Sequence, residues 1–252
     1  MISVIMPAYN CKAYIAQAVR SALRQDVHED LEVIVIDDAS GDGTGEAVEA
    51  FLARQAECGE ARSVICHRNP VNLGAAESRN VGLHMAHGEY VAFLDADDWW
   101  EEGKLTKQLH LMREKDALLV YSGRELMRED GSPLGKVISV PGHTTYQKLL
   151  RTNCIPCSSV LMKTDIAREF CFRHDELHED YILWLEFLKK YKIAYGVNEP
   201  LLKSRMAAGG KSRNKAKSAK MQYGVYRHMG IPAWRAAYLF LCYAVNGVKK
   251  YW

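Results

Sequence analysis

Three carboxylates within four positions, Asp95, Asp97 and Asp98 of VAFLDADDWW, stand where an apolar run ends. Asp95 and Asp97 are two apart at a strand end, where the chain leaves the pleat and both side chains can reach one point. Carboxylates this close repel one another, and a hard divalent cation relieves them. Mg2+ or Mn2+ takes carboxylate oxygens together with waters and substrate phosphates, so few protein ligands are needed. The simpler alternative is a helix start, with Asp97 or Asp98 capping a helix that begins near Trp99. Trp99 and Trp100 fit either a wall beside a ligand or an anchor for that helix. A second acidic pair, Glu179-Asp180 of HEDYILWL, precedes an amphipathic pattern, where acids in the first turn suit the helix dipole.

The elements that must position these groups follow from hydrophobic periodicity. Apolar, β-branched runs at Ile2–Met6, Glu32–Ile36, Ser63–Cys66 and Tyr90–Leu94 start about 30 residues apart, the length of one βα unit. Between them, Ala13–Gln25 places apolar residues at 15, 18, 19, 22 and 23, a helical stripe. TGEAVEAFLARQAE and AAESRNVGLHMAHG behave similarly, the latter with Gly88 as C-cap. Continuous apolar strands separated by helices predict a parallel sheet covered on both faces for residues 1–100. In such a sheet, ligands bind outside the carboxyl ends of the strands. Four predicted strands end in polar residues: Pro7–Asn10, Asp37–Thr44, His67–Gly74 and Asp95–Asp98. The second half is less regular. Strands are expected at 117–123 and 158–163, a loop at 129–135 and a helix over 178–191. The glycine-containing basic stretch 207–220 reads as mobile.

Other chemistries are excluded. SGDGTGE mimics a dinucleotide loop, but position 46 is Glu46 rather than glycine, and two aspartates before it would repel a pyrophosphate. No GxxxxGK[ST] occurs. A net charge of +2 with a pI of about 8.1 is too balanced to indicate a nucleic-acid partner. The chain has 252 residues, 48% hydrophobic and 25% charged, enough for a sizeable core. Seven scattered cysteines suit a reducing compartment, and Cys154-Ile-Pro-Cys157 lacks the further ligands of a zinc site. No basic leader and no run of roughly 20 apolar residues is present. A cytoplasmic protein is expected, lying at most on the inner face of the cell membrane.

SVIMPAYN, VIVIDDASGDGT, NLGAAESRNVGL and GEYVAFLDADDWW, in this order and spacing, resemble the nucleotide-sugar-binding half of glycosyltransferase family 2. The closest likeness is to bacterial enzymes of surface-polysaccharide and teichuronic acid assembly. The resemblance implies a GT-A fold: an α/β, Rossmann-like, mostly parallel central sheet flanked by helices, with a C-terminal helical extension. Residues 1–206 would form the transferase domain, with 1–100 the nucleotide-sugar half and 101–206 the acceptor side. Residues 207–252 would be a mobile basic segment and an amphipathic helix. Carried over by position, Pro7, Ala8 and Tyr9 would meet the donor's nucleoside, and Asp38 the base, usually uracil, with Asp37 beside it. Asn72, Gly74 and Arg79 would border the nucleotide and sugar, Arg79 alternatively pairing with Asp95. Asp95 and Ala96 would approach the ribose or sugar. Asp97 would hold the metal, Mn2+ or Mg2+, with Asp95 and Asp98 as alternative ligands.

The same pattern assigns the catalytic base to Asp180, with Glu179 as substitute, and implies an inverting transfer. Arg205, Lys211 or Arg213 would close over the diphosphate, or belong to a solvated basic loop. Expected partners are a UDP-sugar donor and a glycan or lipid-linked acceptor. The aromatic, basic tail would either lie on a membrane or pack on the domain or a dimer partner. A sugar-1-phosphate nucleotidyltransferase and a non-catalytic sugar-nucleotide binder are the alternatives. The first would want a glycine-rich basic loop after strand one, where PAYNCKAY has one lysine and no glycine.

Overall fold

The computed structural model describes residues 1–57, 63–173, 175–206 and 215–251. The first half alternates as the apolar spacing requires. It runs β1 (Ile2–Ala8), α1 (Ile15–Leu23), β2 (Leu31–Asp37), α2 (Thr44–Glu57), β3 (Ser63–Arg68), α3 (Ala75–Met85) and β4 (Tyr90–Phe93). Strands β1, β2, β3 and β4 pair in parallel in the order β3-β2-β1-β4. The α1 stripe turns inward: Ile15, Ala18, Val19 and Ala22 are buried. α3 ends at Met85 with Ala86 in extended conformation, so Gly88 is not its cap. Gly88 instead permits the turn before β4 to lie close against β1, since a Cβ there would fall 2.7 Å from the Ser3 backbone nitrogen.

The second half makes the sheet mixed. It comprises β5 (Trp99–Trp100), α4 (Lys104–Lys115), β6 (Leu119–Met127), β7 (Pro133–Ile138), β8 (His143–Thr145) and α5 (Tyr146–Arg151). After these come a 3-10 turn at Cys157–Ser159, β9 (Leu161–Lys163), α6 (Thr164–Ala167), α7 (Glu179–Tyr191) and β10 (Ile193–Arg205). β9 inserts antiparallel between β4 and β6, and β10 runs parallel to β6 while pairing antiparallel with β5 and β8. The sequence reading differs in two places. The turn at 129–132 leads into β7, which hairpins on β6, and Cys157–Ser159 coils before β9 begins.

The C-terminal extension is α8 (Lys215–His228) and α9 (Ala233–Tyr251). The expectation of a mobile stretch over 207–220 is corrected for 215–220, which open α8; 207–214 lie outside the described residues. The physical reason lies one turn further on. Met221, Val225 and Tyr226 are buried, and Val225 and Tyr226 join Ile231, Ala236 and Leu239 in the cluster built on α7 and α5. Packing of an apolar face, rather than local propensity, supplies most helical stability.

Candidate active site

The four polar strand ends converge, and hydrogen bonds show how each loop is held. After β1, Asn10 takes a left-handed backbone (φ 49°), and its Oδ1 accepts from Gly41 N (3.0 Å) while its own N–H donates to Ser40 Oγ (3.0 Å). The loops after β1 and β2 are thereby one unit. Pro7 and Ala8 end β1, Ala8 buried, and Tyr9 stands exposed beyond it. Asp37 is buried and ion-paired to Arg68 (2.8 Å), with Ser40 N donating to its other oxygen (3.0 Å).

Asp38 is the organising carboxylate of the third loop. It accepts from Leu73 N, Gly74 N and Asn69 Nδ2, each at 2.8 Å, and Asn72 Nδ2 reaches its carbonyl (3.3 Å). The carboxylate expected to meet a base is thus occupied in shaping the Asn72-Leu73-Gly74 turn. Gly74 has φ 88°, and a Cβ there would fall 2.0 Å from Asp175 Oδ2, so only glycine fits. The Asp175 carboxylate in turn accepts from Ala76 N at the start of α3 (3.2 Å).

Arg79 joins the two acidic elements. On α3 its side chain is 5% exposed. Nη2 donates to Asp95 Oδ1 (2.7 Å) and Nη1 to Glu179 Oε1 (2.9 Å), and the guanidinium stacks 5.4 Å over Phe172. Asp95 and Glu179, the latter 100 residues from Arg79, are fixed to one planar fork, which lysine could not reproduce. The Arg79–Asp95 pair, the alternative to a donor-bordering role, is therefore present, and Glu179 completes it. Beside it Asp180, half-buried in the first turn of α7, accepts from Tyr181 N (2.7 Å). Burial, then the Glu179 charge, push its carboxyl up to about 6, against the pull of His178 and Arg79. A carboxylate titrating there is tuned to accept a proton near neutral pH.

The three clustered aspartates separate by role. Asp95, 36% exposed in its side chain, answers Arg79. Asp98 is buried, and its Oδ1 accepts from Arg205 N (2.9 Å) while Ser158 Oγ donates to the same carboxylate. Burial and its two neighbours hold its carboxyl well above the usual range. Ala96 is buried between them. Asp97 forms no ion pair among the described residues, and burial followed by the Asp95 charge raises its carboxyl to about 6. A group of three or more metal-type side chains does not assemble among the described residues. The donor set still fits Mg2+ or Mn2+ in the form where one carboxylate anchors the ion and substrate phosphates and waters complete it. Asp97, without an ion pair among the described residues, could serve as that carboxylate, and a cation there would offset the raised carboxyls around it. Asp98, expected as an alternative ligand, faces inward because β10 supplies its partner.

Arg205 is the main correction. It is the last residue of β10, not part of a mobile segment. Its Nε donates to the Asp97 carbonyl (2.9 Å), Nη1 to the Glu129 carbonyl (2.5 Å) and Nη2 to Gln17 Oε1 (2.7 Å), and it lies between the Tyr14 and Trp99 rings. With every arm engaged it braces the acidic loop. Lys211 and Arg213 lie outside the described residues. The tryptophans are anchors: Trp99 stacks on Arg205, and Trp100 is buried with Nε1 donating to the Ser158 carbonyl (2.6 Å). Ser158 escaped sequence reasoning. Its Oγ also accepts from Asp95 N (3.1 Å), so one buried hydroxyl ties both ends of the acidic turn. It sits in an irregular turn whose CxxC spacing drew attention elsewhere. Two open hollows of about 390 and 520 Å3 lie away from this site, lined by none of its carboxylates.

The model of the family described as Glycosyl transferase family 2 matches residues 3–164, which span β1 to the start of α6 and include the first three strand-end loops and the acidic turn. The chain belongs to glycosyltransferase family 2. This transferase is 38% identical over 251 residues (99% of the chain, 97% of the relative) to the Bacillus subtilis (strain 168) protein named "Putative teichuronic acid biosynthesis glycosyltransferase TuaG". It is 33% identical over 251 residues (100% and 95%) to the Escherichia coli UDP-Glc:alpha-D-GlcNAc-diphosphoundecaprenol beta-1,3-glucosyltransferase WfaP. Among solved structures it resembles S. aureus TarS 1-349 in complex with UDP-GlcNAc, with TM-score 0.72 and 18% identity over 95% of this chain and 70% of that one. It also resembles the mannosyltransferase PcManGT from Pyrobaculum calidifontis in complex with GDP-Man and Mn2+, with TM-score 0.71 and 20% identity over 94% and 69%. These likenesses establish the GT-A fold.

Proposed function

We propose that this family 2 enzyme moves a sugar from a UDP-sugar to a hydroxyl of a glycan or lipid-linked acceptor in cell-surface polysaccharide assembly, with a divalent cation and with inversion. The observation that carries the reading is the Asp95–Arg79–Glu179 bridge, which sets a raised carboxyl, Asp180, beside the acidic turn. The UDP-GlcNAc complex of TarS and the activity that names WfaP support the donor class and a lipid-linked acceptor. The Mn2+ complex of PcManGT supports the cation.

Chemically, the acceptor hydroxyl gives its proton to Asp180 as its oxygen bonds to the anomeric carbon. The bond from that carbon to the diphosphate breaks, and its electron pair leaves with UDP. A single base acting opposite the leaving group inverts the anomeric centre, by analogy with inverting glycoside chemistry. When bound at Asp97, the cation supplies Lewis-acid stabilisation of the departing diphosphate. Arg79 holds Asp95 and Glu179 in register, and Asp38 shapes the turn that borders the nucleotide.

The test is a panel of UDP-, GDP- and dTDP-sugars assayed for nucleoside diphosphate release, with donor binding measured by calorimetry. UDP release that falls by about 10²–10⁴ in Asp180→Asn while donor affinity persists is expected. Loss of donor binding along with transfer would make Asp180 structural, and pyrophosphate release would mark a nucleotidyltransferase.

A further inference from the structure

The solvent face of α9 is apolar throughout its described part. Ala233, Trp234, Ala237, Tyr238, Leu241, Ala244 and Val245 are exposed, whereas Ala236 and Leu239 face the core. Trp234 is 76% exposed, Leu241 64%, and Tyr238 and Val245 55% each, spaced four, three and four residues apart along one stripe. No charged residue occurs from 236 to 248. A helix apolar on both faces belongs against a second apolar phase. No described helix is long and apolar enough to cross a membrane, so that phase is met from the side.

Charge decides between a lipid surface and a second copy of the chain. Of the 33 lysines and arginines, nine lie in residues 206–252, beyond β10, and this segment holds none of the 31 acids. Residues 1–205 carry 24 basic groups against 31 acids, so the near-neutral chain is divided into an acidic body and a basic C-terminal segment. Two copies meeting through α9 would set one basic segment against another. An anionic bilayer complements it, with Trp234 and Tyr238 suited to the headgroup boundary.

We infer that α9 is a docking helix that lays the Trp234–Tyr238–Leu241–Val245 stripe into the surface of an anionic lipid bilayer. The inference goes beyond the transfer reading and does not depend on the donor or acceptor. Its consequence for the enzyme follows from α8. Ser218 near the start of α8 contacts His178 Nε2 (3.4 Å), the neighbour of the catalytic pair, and from there α8 runs about 15 Å to the turn that starts α9. The helix is a strut between the docked surface and Asp180.

The experiment uses the full chain and extruded vesicles of phosphatidylglycerol with phosphatidylcholine, or phosphatidylcholine alone, read by co-sedimentation, with sedimentation velocity on the vesicle-free protein. Binding to the anionic vesicles at least tenfold tighter than to the neutral ones is expected, weakening as salt rises. The Trp234→Ser/Leu241→Ser variant should keep the melting temperature, because both side chains stand in solvent, and lose binding at least tenfold. Equal binding by variant and parent, or no binding of the parent to anionic vesicles, overturns the inference. A dimer that the variant dissociates, without vesicle binding, overturns it in favour of a second copy.

Discussion

Replacing Asp180 by asparagine should abolish transfer and stabilise the fold, a pairing that separates a strained catalytic carboxylate from a structural one. The Asp180 carboxyl is raised from 3.8 to about 6 by burial and by Glu179. Two units correspond to about 3 kcal/mol at most, because one unit is about 1.4 kcal/mol. Partial exposure to solvent reduces this, and loss of a negative charge at the start of α7 gives back about 0.5 kcal/mol. A net gain of about 1–2 kcal/mol remains, or roughly 2–8 °C in melting temperature for a chain of this size. The sign follows from linkage. A raised carboxyl holds its proton more tightly in the folded state, so the penalty on the native form is complete above about pH 6 and fades as pH falls towards 3.8. Asparagine keeps the oxygen that accepts from Tyr181 N, so the helix start is retained. Scanning calorimetry at pH 7.5 and pH 4 on both proteins measures the effect. The variant should melt higher at pH 7.5 and nearly equal at pH 4. An inactive variant that melts lower at pH 7.5 would refute the reasoning, showing that the charge supports the fold.

Three further outcomes follow from the same geometry. Turnover should decline as pH drops through about 6, where Asp180 takes up its proton, and a profile flat down to pH 5 would remove Asp180 as base. Gly74→Ala must place a methyl 2.0 Å from Asp175 Oδ2 in a left-handed backbone, so donor KM should rise at least tenfold with a lower melting temperature; unchanged kinetics would show that the Asn72–Gly74 turn does not border the donor. Arg79→Lys retains charge but cannot bridge Asp95 and Glu179 together, so kcat should fall by about 10²-fold with the chain still folded, measured by UDP release beside circular dichroism.

The sequence determined the strands of the first half and the places where their polar ends fall. Buried parallel strands are written as apolar runs, and the α1 stripe marks its own core face. The acidic turn and the Glu179-Asp180 pair were legible for the same reason: charged residues beside an apolar run are conspicuous. What each polar group does with its neighbours was decided only by tertiary structure. Asp38 became the holder of the 72–74 turn because β2 and the loop after β3 lie side by side. Arg205 became a brace because β10 pairs with β6 and β5 and brings it to Asp97 and Asp98, 108 and 107 residues away. Asp98 turned inward for the same cause, and Ser158 gained its role from a turn without periodicity. The extension shows both limits: its small, basic residues read as mobile, yet Val225 and Tyr226 fill a site that α7 and α5 leave open. Periodicity records which face of an element is apolar, whereas a hydrogen-bond partner a hundred residues distant leaves no local mark and is set when the sheet closes.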